Sequence, residues 1–432
     1  SQPALWKHGI SGDHPILLVH LAAADELASV ESLLRAHRYW RTRGQRIDLV
    51  LLDLEPAGYA RPLRDRLAAA LEEGEGSDWL GRPGGIHVVG SETCDAADRV
   101  LLESVAGVVL DGAGGSLRDR VRAIRRPPAH LPPLGPVVST SPSRREETPV
   151  PLPTDLVLCN GFGGFTPDGR EYVIRVRRDR PTPAPWINVL SNPEFGCIVS
   201  ESGLDCTWSA SSSENRLTPW RNDPLADPPA EAVYLRDEET TDVWSPTPLP
   251  CGTEGPYEVR HGSGYTSFRH HSHGLRQQLT VFCSPDAPVK LVRLRLENRQ
   301  RLPRRITATY FAEWVLGRDR DSSSRFVIPD YDMAHQVLVA RNPFSEGFAE
   351  RVAFLTASEP PHGITSDRTE FLGQNGNPAS PAALDRVGLS GAVLPGPDPC
   401  GAWMVHVDLA PGETKDVHFV LGQECSREAA VK

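Results

Sequence analysis

Lys290 to Glu297 reads KLVRLRLE, and Arg305 to Tyr310 reads RITATY. In both runs apolar residues alternate with charged or polar ones. Side chains along a strand point to opposite faces in turn, so each run has one apolar and one polar face. The short polar stretch Asn298 to Pro303 between them is expected to be a hairpin connection. Similar runs recur on either side: Glu171 to Val176, Gly196 to Ser200, Ala232 to Arg236, Leu275 to Phe282, Gln336 to Ala340, Val352 to Ala357, Ala402 to Leu409 and Lys415 to Leu421. Polar or Gly/Pro-rich turns separate them, and helical spacing is nearly absent after Leu156. The chain holds 40 Pro and 37 Gly, residues that break helices and central strands, so short strands joined by ordered loops are expected. The fold class is mainly β: a large super-β-sandwich over residues 156–424.

A different pattern precedes it. His14 to Leu21 (HPILLVHL), Ile47 to Leu54 (IDLVLLDL) and Ile86 to Gly90 (IHVVG) read as buried strands, with Val108 to Leu110 as a short fourth. Helices are expected between them at Asp25 to Arg43, Arg61 to Glu73 and Asp95 to Val105, the first capped by Asp25 and stopped by Gly44. Strands alternating with helices make residues 1–125 a small α/β unit with parallel strands. No GxGxxG or GxxxxGK[ST] follows any strand, and the glycine cluster at Gly112 to Gly115 reads as a plain turn in preference to a phosphate cradle. Residues 126–155 concentrate proline and are expected to be a semi-rigid linker. Residues 425–432 read as the start of a further linker.

A formal net charge of −10 disfavours a general nucleic-acid binder, which carries a basic excess. Eight cysteines without a CxxC pair give no support to a zinc or redox motif, and free thiols are expected. His270, His271 and His273 (HHSH) lack the spacing and partners of a metal site and read as an exposed turn, so no metal is assigned. No run approaches the length needed to span a bilayer, and the chain reads as a piece of something longer.

Several polar runs follow one another in a fixed order: Asn160 to Val176 (NGFGGFTPDGREYVIRV), Thr182 to Asn188 (TPAPWIN), Ser209 to Asp223 (SASSSENRLTPWRND), Tyr234 to Asp237 (YLRD), Arg260 to Tyr265 (RHGSGY) and Tyr310 to Trp314 (YFAEW). Taken together they resemble the N-terminal β-sandwich of the inverting glycoside phosphorylases, which include cellobiose and chitobiose phosphorylases. The resemblance is closest to the phosphorylase-like region of cyclic β-1,2-glucan synthases. There a Trp-x-x-Gly-Ile-Ser-Gly-Asp run opens the preceding α/β stretch, matched here by Trp6, Gly9, Ile10, Ser11, Gly12 and Asp13.

The resemblance implies that a helical barrel follows the sandwich and carries the catalytic Asp and most phosphate-binding residues. Nothing after Leu421 can form that barrel. Carboxylates such as Glu313 and Asp321 do not match the family's acid, so no catalytic residue is assigned and this chain alone is expected to be inactive. It is expected to scaffold the barrel, shape substrate access and support assembly. The implied partners are a β-glucan oligosaccharide, the barrel of the parent chain and a homodimer mate. No cofactor is expected, phosphate being a substrate of the parent. The expected location is cytoplasmic, without membrane contact by this chain itself, the parent being anchored in the inner membrane through other segments. The alternatives are a free-standing carbohydrate-binding module, a structural or oligomerisation domain without sugar affinity, and a complete enzyme with an unrecognised acid.

Seven residues are candidates for substrate contact. Arg260, His261 and Tyr265 either hydrogen-bond sugar hydroxyls or pack a tight turn made by Gly262 and Gly264. Arg216, Trp220 and Arg221 lie in a loop too irregular for a strand, a type of loop that either faces ligand or is structural. Arg325 is the nearest positional match to a family arginine that reaches a neighbouring subunit's sugar; a solvated loop is its other reading. Trp186 and Asn188 are expected to anchor the entry to the sandwich.

Overall fold

The computed structural model describes residues 3–55, 61–73, 76–113, 131–137, 149–151, 153–396 and 398–432. The chain divides into two units, Ser1–Ala129 and His130–Lys432.

In the first unit, α1 (Pro3–Trp6) precedes β1 (Ile16–Leu21), α2 (Leu27–Thr42), β2 (Asp48–Asp53), α3 (Pro62–Glu73), β3 (Ile86–Gly90), α4 (Ala96–Val105) and β4 (Val108–Asp111). The strands form a parallel sheet in the order β3-β2-β1-β4. Both faces of β2 are buried, which accounts for its continuous apolar run. Asp95 caps α4 by accepting from the Asp98 N–H at 2.8 Å, and Asp98 returns the bond in a capping box. Glu26, at the start of α2, makes no side-chain cap, and the Asp25 side chain lies outside the described residues. Gly44 follows α2 with φ +77°, the left-handed conformation that ends helices cheaply in glycine. Gly112 donates to the His20 carbonyl at 2.8 Å, while Gly114 and Gly115 lie outside the described residues.

Among the described residues the second unit has eighteen strands: β5 (Gly163–Phe165), β6 (Glu171–Val176), β7 (Ile187–Ser191), β8 (Phe195–Ser200), β9 (Leu204–Ser209), β10 (Glu231–Asp237), β11 (Val243–Trp244), β12 (Tyr257–Gly262), β13 (Tyr265–Ser272), β14 (Leu275–Cys283), β15 (Val289–Asn298), β16 (Arg304–Glu313), β17 (Ile328–Asp332), β18 (Val337–Arg341), β19 (Val352–Ala357), β20 (Gly363–Asp367), β21 (Pro399–Leu409) and β22 (Thr414–Glu424). One sheet runs β20-β21-β16-β10-β9-β8-β7, with β11 on β10. The other runs β17-β18-β19-β22-β15-β14-β13-β12-β6-β5. Alternate residues of β15, from Lys290 to Asn298, face inward. They meet Trp244, Tyr310, Trp403 and Phe419 in one continuous core. Burial of this large apolar surface drives the folding of the unit.

Two expectations need correction. Asn298 to Pro303 is not a hairpin turn. β15 pairs with β14 and β22 in one sheet, and β16 pairs with β10 and β21 in the other. Alternation gives each strand one buried face, but it does not say which sheet holds the strand. Asn298 Nδ2 secures the crossing by donating to the carbonyls of Leu302 at 2.8 Å, Leu409 at 3.1 Å and Ala410 at 3.2 Å.

The HHSH run is not an exposed turn either. His270 and His271 belong to β13, and His270 is buried with its ring stacked 3.8 Å from Tyr257. Its Nε2 pairs with the Thr253 hydroxyl at 2.6 Å, and burial pushes its pKa down to about 4. His273 makes the turn with φ +53° and stacks on Trp244.

Within residues 126–155, Leu134 donates to Asp385 at 2.9 Å, and Val387 donates to Pro132 at 3.0 Å. That part of the Pro-rich stretch is laid against the sandwich, and residues 138–148 lie outside the described residues. A buried polar knot spans the two sheets. Lys290 from β15 pairs with Glu231 from β10 and donates to the Thr207 hydroxyl at 2.6 Å, and the Tyr310 hydroxyl donates to Glu231.

Candidate functional site

Polar side chains gather in three groups, the first on the loop Arg216 to Asp227. Arg216 exchanges backbone hydrogen bonds with Gly317, at 2.9 and 3.1 Å. That pairing brings this loop onto the segment Trp314 to Phe326. The Arg216 guanidinium donates to the carbonyls of Ser212 at 2.8 Å and Arg318 at 2.7 Å, and lies 5.5 Å from the Trp220 ring centroid. Arg221 Nη2 donates to Glu313 Oε2 at 2.6 Å. Glu313 ends β16, is buried, and also meets Arg320 Nε at 2.6 Å and Arg368 Nε at 3.4 Å. Arg320 and Arg368 share Asp398 as well. Three guanidinium groups therefore face two carboxylates, leaving one positive charge in excess. Both Glu313 oxygens lie at ion-pair distance from arginines, so this carboxylate is arranged as a hub. Arg325 donates to the Asp321 carbonyl at 3.1 Å and lies 5.4 Å from the Phe326 ring.

The second group, Arg260, His261 and Tyr265, sits on the β12–β13 hairpin in the other sheet. Arg260 donates to Glu258 and Glu171, each at 2.6 Å, and the Tyr265 hydroxyl donates to Glu171. His261 Nε2 faces the Trp186 carbonyl at 3.0 Å, which only accepts, so Nε2 carries the proton. Its Nδ1 then accepts from the Thr266 hydroxyl at 3.0 Å. Burial holds His261 below the usual histidine range. Asn188 Nδ2 bonds the carbonyls of Gly262 at 2.9 Å and Tyr265 at 3.0 Å. Gly264 has φ +87°, and a Cβ at Gly262 would stand 2.7 Å from the Tyr265 ring. Trp186 and Asn188 thus fasten this turn, and Arg260, His261 and Tyr265 each have a partner within the fold. The sequence candidates therefore fall into two separate groups. Arg216, Trp220, Arg221 and Arg325 share one pair of loops, while Arg260, His261 and Tyr265 stand apart from them.

The third group was not singled out from sequence. A cleft of about 480 Å³ is lined by Arg178, Thr182, Glu201, Leu225, Asp227 and Tyr257, among others. Three proline-bearing segments, near residues 181–185, 224–227 and 248–250, make its walls. Proline fixes φ, so such walls keep their shape at small entropic cost. Glu201 accepts from the Trp186 N–H at 2.6 Å and from the Thr182 hydroxyl; Asp227 accepts from Ser200 at 2.6 Å. Burial raises both carboxyls above the usual range. Asp205 is pushed up to about 7 by burial and by the neighbouring charges of Asp227 and Glu231. Carboxylates, a guanidinium and a partly apolar wall are the groups that recognise a polyhydroxylated ligand. The signal in the sequence was the recurrence of proline in these segments, but nothing local in it shows that they converge.

Among the described residues no cluster of His, Cys, Asp or Glu could hold a metal ion. Among them, too, no helix is long and apolar enough to cross a membrane.

The large sandwich and its order of motifs define a class. The family model described as the glycosyl hydrolase 94 supersandwich domain matches residues 170–432, and the chain belongs to that family. Among individual proteins, it is 34% identical to the cyclic beta-(1,2)-glucan synthase NdvB of Rhizobium meliloti (strain 1021) over 438 aligned residues, 98% of this chain and 15% of that protein. That match takes in the α/β unit as well as the sandwich. It is 29% identical to N,N'-diacetylchitobiose phosphorylase of Vibrio furnissii, over 60% of this chain and 33% of that protein. Solabiose phosphorylase of Paenibacillus borealis is 30% identical, over 62% of this chain and 36% of that protein. The chain thus spans between about a seventh and about a third of the length of these relatives.

Proposed function

We propose that this chain is the non-catalytic sandwich portion of a cyclic β-1,2-glucan synthase or β-glucan phosphorylase type of enzyme. Its role is to bind carbohydrate, shape access to the active site and support assembly. The observation that carries this reading is the 34% identity to a cyclic glucan synthase, sustained over 98% of the chain. The proline-walled cleft supports it, because it offers carboxylate acceptors and a guanidinium donor at the scale of a sugar unit or two. The ion pairs of Glu313 with Arg221 and Arg320 suit a structural hub in preference to a proton donor. Inverting phosphorolysis needs an acid at the leaving oxygen and a held phosphate, and these are supplied by a helical barrel elsewhere in the parent. The parent works in the cytoplasm on β-glucan.

A second reading, a structural or assembly domain without sugar affinity, is favoured by the self-satisfied hairpin of Arg260, His261 and Tyr265.

The test of the non-catalytic role is an assay of this chain with β-1,2-glucan oligosaccharides and inorganic phosphate. No glucose 1-phosphate is expected. Its sustained release by the purified chain would overturn the reading.

A further inference from the structure

Cys197 and Cys283 come from facing sheets and meet inside the sandwich. Cys197 lies in β8 and is buried; Cys283 ends β14 and is half-buried. Their sulfurs are 3.8 Å apart, across a sequence separation of 86 residues. A disulfide has an S–S length of about 2.05 Å, so the sulfurs need to approach by roughly 1.7 Å to bond. No other pair among the described cysteines is recorded in contact, and all eight are free thiols.

The charges near the two sulfurs oppose one another. The charged groups that act on both sulfurs are Lys290, which favours a thiolate, and Glu231, which opposes it. Contact with Cys197 pulls the Cys283 thiol below its ordinary value, although burial works against this. The same contact, together with burial, pushes Cys197 well up. Of the two, Cys283 is the sulfur more readily deprotonated; as a thiol it donates to the Leu190 carbonyl at 3.3 Å. Cys283 is also the less buried of the two.

We propose that Cys197 and Cys283 form a reversible redox site, in which a peroxide converts the two thiols into a disulfide that staples the facing sheets together. The Cys283 thiolate attacks one oxygen of hydrogen peroxide; an S–O bond forms, the O–O bond breaks, and the departing hydroxide takes a proton to become water. Cys197 sulfur then attacks Cys283 sulfur. The S–S bond forms, the S–O bond breaks, and the second hydroxide leaves with the Cys197 proton as water. Two electrons pass from the two sulfurs to the peroxide. The bond closes a long loop, so oxidation also raises resistance to unfolding. The inference stands independently of the carbohydrate reading.

The test treats the full reduced chain with equimolar hydrogen peroxide, alkylates the remaining thiols, and maps its peptides by mass. The expected product is a peptide pair linked through Cys197 and Cys283, at least ten-fold more abundant than any link through the exposed Cys159 or Cys425, and lost on adding dithiothreitol. Recovery of both Cys197 and Cys283 as alkylated thiols while Cys159 or Cys425 oxidises would overturn the proposal. So would Cys283 recovered as a sulfinic acid beside a reduced Cys197. The variant C425S must keep the link, and C283S must abolish it. The wild-type peptide map decides the matter even if C283S does not fold.

Discussion

Arg221 Nη2 and Glu313 Oε2 stand 2.6 Å apart and join the loop at Arg216 to Asp227 to the buried end of β16. Glu313 is 1% exposed and also meets Arg320 and Arg368. Removing its charge leaves Arg320 and Arg368 with Asp398 alone and takes away the ion pair of Arg221. The substitution Glu313→Gln is expected to cost about 3 kcal/mol. Arg221→Ala is expected to cost about 1 kcal/mol or less, because its side chain is 30% exposed and water replaces part of what is lost. Urea unfolding at constant m-value measures both, and equal losses would contradict the hub role of Glu313.

Lys290 and Glu231 form a different kind of pair, since both are buried and they belong to opposite sheets. Lys290→Met strands the Glu231 carboxylate, and about 3–5 kcal/mol is expected to be lost. The double replacement Lys290→Met with Glu231→Leu removes both charges and is expected to be more stable than Lys290→Met alone. A double-mutant cycle from denaturation midpoints checks this coupling. Additive losses would mean that the two charges do not depend on each other.

Asp205 sets a pH dependence. Its folded value is about 7, against an ordinary 3.8. The folded state holds a proton that the unfolded state releases, so this carboxyl's contribution to stability is full below about 3.8. It is lost as pH rises through about 7. Asp205→Asn removes that dependence. The variant is expected to gain about 4 kcal/mol over the wild type at pH 8 relative to the difference at pH 4. Unfolding curves of both proteins across this range measure it. A difference that does not change with pH would show that Asp205 titrates normally.

The sequence exposed those parts of the fold whose pattern is local. β15 and β22 alternate along their length, and their ends were legible to within a few residues. β12 and β13 were not read as strands, because Arg260, His261 and His270 make them look polar. Those side chains are paired with Glu171, the Trp186 carbonyl and Thr253, contacts that only the folded sheet creates. β9 was missed for a related reason. Its buried residues Cys206 and Thr207 point to opposite sides, so no alternation shows.

The hairpin expected at Asn298 to Pro303 shows the limit of periodicity: it identifies a buried face but not the sheet that buries it. The cleft was beyond reach for the same reason. Thr182, Glu201, Asp227 and Tyr257 are distant in the chain and meet only after the proline-bearing segments have folded. Of the sequence candidates, Arg216 and Arg221 were recognisable as part of a polar loop. Glu313, the partner of Arg221, was noted only as a carboxylate without a matching pattern.

The most direct measurement is a calorimetric titration of this chain with linear β-1,2-glucan oligosaccharides, with cellobiose-type oligosaccharides as the control. Binding at millimolar concentration or tighter is expected, selective for the β-1,2 series. Asp227→Asn, or Arg178→Ala in the cleft wall, is expected to weaken it by at least ten-fold, about 1.4 kcal/mol. No heat at high ligand concentration, or equal heat from both series with both variants unaffected, would contradict carbohydrate recognition by the sandwich and leave scaffolding as its role.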